Sequence, residues 1–129
     1  MPATTIFFYC DDRGRAPLLA WLEKLRQESP KAYAKCVVRI QRLAAEGHEL
    51  RRPEADSLRD GVYELRVRSG NVNYRLLYFF HGQNVAVLAH GLTKEADVPD
   101  ADIERALLRK KHFENDPDKH THEEETEDG

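Results

Sequence analysis

The sequence predicts an α+β domain in which a small, mainly antiparallel sheet packs on helices. Three observations support this prediction. A β-branched and aromatic segment lies near the start of the chain, two amphipathic helical patterns follow it, and alternating strands fill the second half. At 129 residues the chain can build one modest hydrophobic core. We expect the element order β-α-α-β-β-β-α.

The first half of the chain is predicted to hold one strand and two helices. Residues 4–9 have the β-branched and aromatic composition of a strand. Apolar residues between positions 18 and 25 keep a helical spacing, and Pro17 suits the first turn of that helix. Ser29 is the expected N-cap of the second helix, and Gly47 its C-terminal cap. The second helix has a basic side, which is either a solvated face or an RNA contact: Lys31, Lys35, Arg39, Arg42.

Arginines recur on one face of the next two predicted strands, which lie within residues 61–80. Side chains alternate along a strand, so Glu64 and Arg66 should lie opposite the apolar face. If residues 69–72 form the turn, Arg66 faces Arg75, and Arg68 faces Asn73. Like charges directly opposed across strands repel, so the pattern indicates a polyanion-binding face. A solvated sheet face with incidental arginines is the alternative.

The following strand adds a histidine to this pattern. If Gly82 is the first central residue of a two-residue turn, His81 pairs with Asn84, and Arg75 therefore pairs with His90. Arg66, Arg75 and His90 would then form one row across three strands. Two cations and a group that titrates near neutrality suit phosphate binding and proton transfer. A polar strand-end residue bonded to backbone is an equal alternative for His90, and a one-residue slip of the register would scatter the row.

The C-terminal region divides into a helix and an acidic tail. Residues 99–113 have acids in the first turn and bases in the last, as the helix dipole favours. This helix has a thin apolar stripe, so we expect it to be loosely docked or completed by a partner: Ile103, Ala106, Leu107. We place the domain boundary after residue 113. Residues 114–129 carry eight acids and one lysine, and we expect this segment to be a disordered tail.

Composition excludes several other classes. Cys10 and Cys36 are isolated, which argues against a disulfide framework or a zinc site. No histidine, cysteine and carboxylate cluster has metal-ligand spacing, so no metal or cofactor is expected. No run approaches the roughly 18 apolar residues that span a bilayer, and the first residues lack a charged leader region. We therefore expect a cytoplasmic protein with no membrane contact.

Three motifs resemble the RelE/HigB toxins, and within them the branch called phage-derived Gp49-like. The motifs are Leu58-Arg-Asp-Gly-Val-Tyr-Glu-Leu-Arg-Val-Arg68, Tyr74-Arg-Leu-Leu-Tyr-Phe-Phe80 and His90-Gly-Leu-Thr-Lys94. The likeness covers residues 4–113 and implies the RelE-like, microbial-RNase-type fold. It also implies the toxin of a type II toxin–antitoxin system. Such toxins are mRNA interferases, and many of them cut mRNA in the ribosomal A site. The implied partner is a helix-turn-helix antitoxin, through which operator DNA is contacted.

The resemblance further implies a metal-independent and cofactor-independent cleavage by the ribose 2′-hydroxyl. Arg75 lies at the family's phosphate clamp, while Arg66 and Lys94 lie at its other basic positions. Glu64 stands where better-studied relatives carry lysine, so it is a base, an orienting partner for Arg66, or only a strand carboxylate. The candidate catalytic set is completed by His90. Tyr74 either stacks on a base or is a cross-strand structural residue, and it joins two further candidate RNA contacts: Arg68, Asn73.

Two other functions remain open from the sequence. The first is a catalytically inactive RelE-like module that binds the antitoxin and operator complex, or RNA. The second is a general RNA-binding or ribosome-binding domain without toxicity. A short helix-turn-helix gene next to this one would favour the toxin.

Overall fold

Six strands form one sheet in the described part of the chain, and helices cover both of its faces. The structure is a computed structural model that describes residues 3–93 and 97–123. The elements in chain order are β1 (Thr5–Tyr9), α1 (Pro17–Glu28), α2 (Pro30–Glu46), β2 (Ala55–Arg59), β3 (Val62–Ser69), β4 (Val72–His81), β5 (Val85–Thr93), α3 (Asp100–Asn115) and β6 (Thr121–His122). The strand order across the sheet is β2-β3-β4-β5-β1-β6. Only the pairing of β1 with β5 is parallel among these strands, so the predicted α+β class is confirmed.

Both N-terminal helices begin where the sequence predicts, and α2 also ends at its predicted cap. Pro17 opens α1, and the Ser29 hydroxyl accepts a hydrogen bond from the Ala32 N–H at the start of α2. Gly47 caps the end of α2 with a φ of +53°, a conformation that other residues rarely adopt. Both helices pack on one face of the sheet and form the larger core with its buried strand residues: Leu65, Val67, Leu76, Tyr78, Leu88.

The opposite face of the sheet is covered by α3 over part of its area. Phe113 is 1 % exposed and meets the Phe79 ring edge-on at 5.7 Å, while Ile103 and Ala106 pack with Leu77. The expectation of one core face and one charged face was therefore too simple, because charged residues occupy only one end of this second face. The apolar run 76–80 indicates that β4 is buried on both faces, because a strand buried on both faces loses the alternation of polar and apolar residues.

Two short strands escaped the sequence analysis. β2 pairs antiparallel with β3, and its five residues include only one that is fully buried, Ala55. Its polar composition is that of an edge strand, which alternation does not reveal. β6 has two residues and pairs antiparallel with β1.

The acidic tail is ordered further than we predicted. α3 continues to Asn115, and Thr121 then pairs with Tyr9. His120 is 5 % exposed, its Nδ1 lies 2.7 Å from the Cys10 carbonyl oxygen, and its ring stacks on Tyr9 at 5.4 Å. The prediction of disorder from residue 114 is thus wrong as far as His122. It rested on the acidic composition of the segment, which gives no indication that His120 is buried. Residues 124–129 lie outside the described residues.

Cys10 and Cys36 are free and buried, as expected of small core residues. Burial raises the pKa of the Cys36 thiol to about 12, which leaves it protonated and unreactive near neutral pH. No helix within residues 3–93 and 97–123 has the length and apolarity needed to cross a bilayer.

Candidate active site

Two arginines face each other on neighbouring strands, as the sequence predicted. Arg66 of β3 pairs with Arg75 of β4, and Arg68 pairs with Asn73. The pairing ends at Ser69 and Val72, which flank the tight turn. The turn residues therefore set the register of this hairpin, and the prediction for these two strands is confirmed.

Glu64 lies between the two arginines and binds both. Its Oε2 is 2.9 Å from Nε of Arg66, and its Oε1 is 3.1 Å from Nε of Arg75. The residue is only 3 % exposed, and a buried carboxylate is tolerable only when it is paired and hydrogen-bonded. Glu64 thus offsets the repulsion that the sequence predicts between the two opposed arginines.

β2 adds a second carboxylate to the same network. Oδ2 of Asp56 lies 3.7 Å from Nη2 of Arg66 and 2.8 Å from Nε of Arg52. The hydrogen bond from Arg52 holds the pKa of the Asp56 carboxyl below its usual range. Three guanidinium groups and two carboxylates thus leave a formal excess of one positive charge. Sequence analysis missed Asp56 and Arg52 because it missed the strand that carries Asp56.

The arginines remain partly accessible. The side chain of Arg66 is 34 % exposed and that of Arg75 is 15 % exposed, whereas that of Glu64 is 4 % exposed. Both arginines use Nε for Glu64, and Nη1 of Arg75 also donates to the Tyr74 carbonyl oxygen at 3.3 Å. A guanidinium offers five donors in a planar fork, so each retains nitrogens that can bind a phosphate oxygen. We call Glu64, Arg66 and Arg75 the arginine pair site.

His90 lies on the same sheet face but not in the predicted row. It pairs with Leu77, and Arg75 pairs with Leu92. The turn after β4 is one residue longer than expected, since His81 pairs with Val85 and not with Asn84. A bulge at position 89 then adds a second one-residue shift. Two shifts restore the face, because side chains alternate with period two, but they move His90 along the strand.

The His90 imidazole is held by two side chains of α3. Nε2 lies 2.6 Å from Oδ1 of Asp102, and Nδ1 lies 3.3 Å from Nη1 of Arg109. Burial lowers the pKa of His90, which favours the neutral ring near neutral pH. A neutral ring protonated at Nε2 satisfies both contacts, because it donates to Asp102 and accepts from Arg109. His90 therefore fastens α3 to β5, which differs from both roles that the sequence left open.

Tyr74 faces away from the arginine pair site. It is 8 % exposed and meets the Trp21 ring edge-on at 6.2 Å in the core beneath α1. Its burial supports the structural role, which was one of the two roles that the sequence left open for this residue. Arg68 is exposed, and its Nε donates to the Gly70 carbonyl oxygen at 3.1 Å. Asn73 is partly exposed opposite it, and Lys94 lies outside the described residues.

The basic side of α2 reaches the edge of β3 near the arginine pair site. Nη1 of Arg39 donates to the Arg66 carbonyl oxygen at 2.9 Å, and Nζ of Lys35 lies 3.5 Å from the Arg68 carbonyl oxygen. The register pairs of β2 and β3 extend to Leu65, and the Arg66 N–H donates to the Glu54 carbonyl oxygen at 2.8 Å, so these two carbonyls lie where the pairing with β2 ends. Part of the stripe that we described as solvated or RNA-binding therefore covers a strand edge.

Comparison with known proteins places this chain in a family. The family model described as Phage derived protein Gp49-like (DUF891) matches residues 7–111. The chain belongs to this family. The Gp49-like match runs from β1 into α3 and includes the whole arginine pair site. This is a RelE/HigB-like toxin family, which confirms the resemblance, and membership suggests a toxin of the toxin–antitoxin type. A search of curated proteins found no match.

Proposed function

We propose that this Gp49-like protein is the toxin of a type II toxin–antitoxin system and a metal-independent endoribonuclease that cleaves mRNA in association with the ribosome. The observation that carries the proposal is the arginine pair site, in which Glu64 binds two partly accessible guanidinium groups side by side. Such a pair suits a phosphodiester, whose two non-bridging oxygens accept hydrogen bonds from planar donor forks.

The proposed reaction is an intramolecular transesterification, in which phosphorus is attacked by the 2′-hydroxyl of the ribose that carries it at the 3′-oxygen. The 2′-oxygen forms a bond to phosphorus, the bond to the 5′-oxygen breaks, and the products are a 2′,3′-cyclic phosphate and a 5′-hydroxyl. A base takes the proton of the 2′-hydroxyl, and an acid gives a proton to the departing 5′-oxygen. No metal is required, because RNA supplies its own nucleophile. Negative charge grows on the non-bridging oxygens, where preorganised cations lower the barrier.

Arg75 and Arg66 are the proposed phosphate and transition-state ligands, and Lys94 is a proposed third cation after β5. Arg68 and Asn73 sit two residues along from Arg66 and Arg75, so we propose them as contacts to the flanking RNA backbone. We leave His90 out of the proton transfers because Asp102 and Arg109 occupy both of its ring nitrogens. The proposed partners are a helix-turn-helix antitoxin and, through it alone, operator DNA, in the cytoplasm.

One observation favours a second function. His90 is fastened to α3 and Glu64 is bound on both oxygens, so neither is poised as an acid or a base. A catalytically inactive RelE-like module, which binds the antitoxin complex or RNA without cutting, also fits this arrangement.

Expression without the antitoxin separates the two functions. For the nuclease we expect growth arrest within a few generations and new 5′ ends in mRNA, mapped by primer extension. Co-expression of the neighbouring antitoxin gene should abolish both effects. Intact mRNA and normal growth, with the protein present and bound to its antitoxin on co-expression, would contradict the nuclease and support the binding module.

A further inference from the structure

Glu64 is the charged residue of the arginine pair site to which the proposed reaction assigns no role. We propose that it is a positioning residue for both arginines and not the general base. This inference rests on the proposed function and deepens it, because it states how the site is preorganised. The usual role of a buried carboxylate at a cleavage site is that of the general base, and we assign Glu64 a different one.

Access argues against Glu64 as a base. A general base must come within about 2.6–3.2 Å of the proton that it takes, directly or through one water. The Glu64 side chain is 4 % exposed, and each carboxylate oxygen already accepts from an arginine Nε at 2.9 or 3.1 Å. Each oxygen keeps a further lone pair, but burial leaves these sites little open to a 2′-hydroxyl while both arginines stay bound.

The same contacts explain what positioning achieves. A bond at Nε fixes the plane of a guanidinium while its terminal nitrogens stay available to a ligand. Glu64 makes this bond to Arg66 and to Arg75 at once, so one carboxylate aligns the forks of two opposed strands. It also offsets the repulsion that would otherwise drive the two side chains apart.

Asp56 shows the contrast within the same network. It lies 3.7 Å from Arg66, forms no ion pair with Arg75, and has a side chain that is 27 % exposed. Its short contacts are with Arg52, at 2.8 Å and 2.7 Å. Glu64 alone of these two carboxylates binds both arginines of the site.

The first test is the Glu64→Gln variant, assayed for RNA cleavage across pH. We expect kcat to fall on the order of 10²-fold, as for the loss of one preorganised charge contact, with little change in KM. The limb of the pH profile at low pH should persist, because the base is another group. Loss of that limb would identify Glu64 as the base and overturn the proposal, as would unchanged kcat.

Glu23→Gln is the matched control, because Glu23 is an exposed carboxylate that pairs with Arg26 at 3.0 Å on α1. We expect its kcat, KM and pH profile to match those of the unsubstituted protein. Thermal unfolding of both variants shows whether they are folded.

A second test needs no substitution at Glu64. In the wild-type protein, NMR should show the Nε–H protons of Arg66 and Arg75 protected from exchange, with the two signals assigned by Arg66→Lys and Arg75→Lys. Both should stay protected when an uncleavable 2′-deoxy-substituted RNA binds. Exposure of either proton on binding would overturn the positioning role. If the protein cuts no RNA, the proposed function fails, while protection in the free protein still tests the geometry around Glu64.

Discussion

Arg75→Ala is expected to lower the RNA cleavage rate of the purified protein about 10²–10³-fold. Arg75 pairs directly with Arg66, binds Glu64 at 3.1 Å and has a side chain that is 15 % exposed. Its removal takes away one of the two proposed phosphate ligands and leaves Glu64 with a single arginine partner. The measurement is the single-turnover cleavage rate at saturating RNA, which separates chemistry from binding.

The control for this variant is Arg26→Ala. Arg26 is also an arginine paired with a glutamate, but it lies on α1, and its side chain is 56 % exposed. We expect its cleavage rate to equal that of the wild type. If circular dichroism shows that Arg75→Ala is folded and the variant still cleaves at the full rate, Arg75 is not a phosphate ligand in the reaction.

Phe113→Ala is expected to lower the free energy of unfolding by about 3–5 kcal/mol, the usual cost of emptying a buried phenylalanine site. Phe113 is 1 % exposed and contacts Phe79 and His81 from the last turns of α3. Removal of this ring would take away much of the packing between α3 and the sheet. Urea unfolding followed by circular dichroism gives the difference.

Leu108→Ala is the matched control on the same helix, because Leu108 is 54 % exposed. Its expected effect is within about 0.5 kcal/mol, as for most surface substitutions. Similar small losses for both variants would mean that α3 is loosely docked, as the sequence alone suggested.

The sequence predicted the β3–β4 hairpin correctly because its turn is short and its alternation is unambiguous. Ser69 and Val72 pair across a two-residue turn, and Arg66 consequently meets Arg75. Local chemistry also sufficed for α2, where Ser29 and Gly47 have side-chain and backbone requirements that are specific to helix ends.

The position of His90 could not be predicted in the same way. A three-residue turn and a bulge separate it from Arg75, and no residue type marks the bulge. Its partners Asp102 and Arg109 lie on α3, and the thin apolar stripe of that helix gave no reason to place it over β5. Glu64 was visible as a charged residue, but its bonds to both arginines depend on side-chain geometry across two strands.

The ordered part of the C-terminal segment was missed for a related reason. Composition describes residues 114–129 as an acidic tail, yet His120 is buried against Tyr9. Ring contacts of His120 with Tyr9 and His112, its hydrogen bond to the Cys10 carbonyl oxygen and one short strand pairing order a segment whose average polarity predicts disorder.

The chemistry of the cut ends tests the proposed function most directly. The purified protein is incubated with mRNA and ribosomes in the presence of EDTA, and a polyamine keeps the ribosomes intact. The 5′ end of the downstream RNA fragment is then analysed. Transfer to the 2′-oxygen predicts a 5′-hydroxyl, which polynucleotide kinase labels without prior phosphatase treatment, and undiminished cleavage in EDTA. A 5′-phosphate on that fragment, or activity restored only by a specific transition metal, would contradict the proposed reaction.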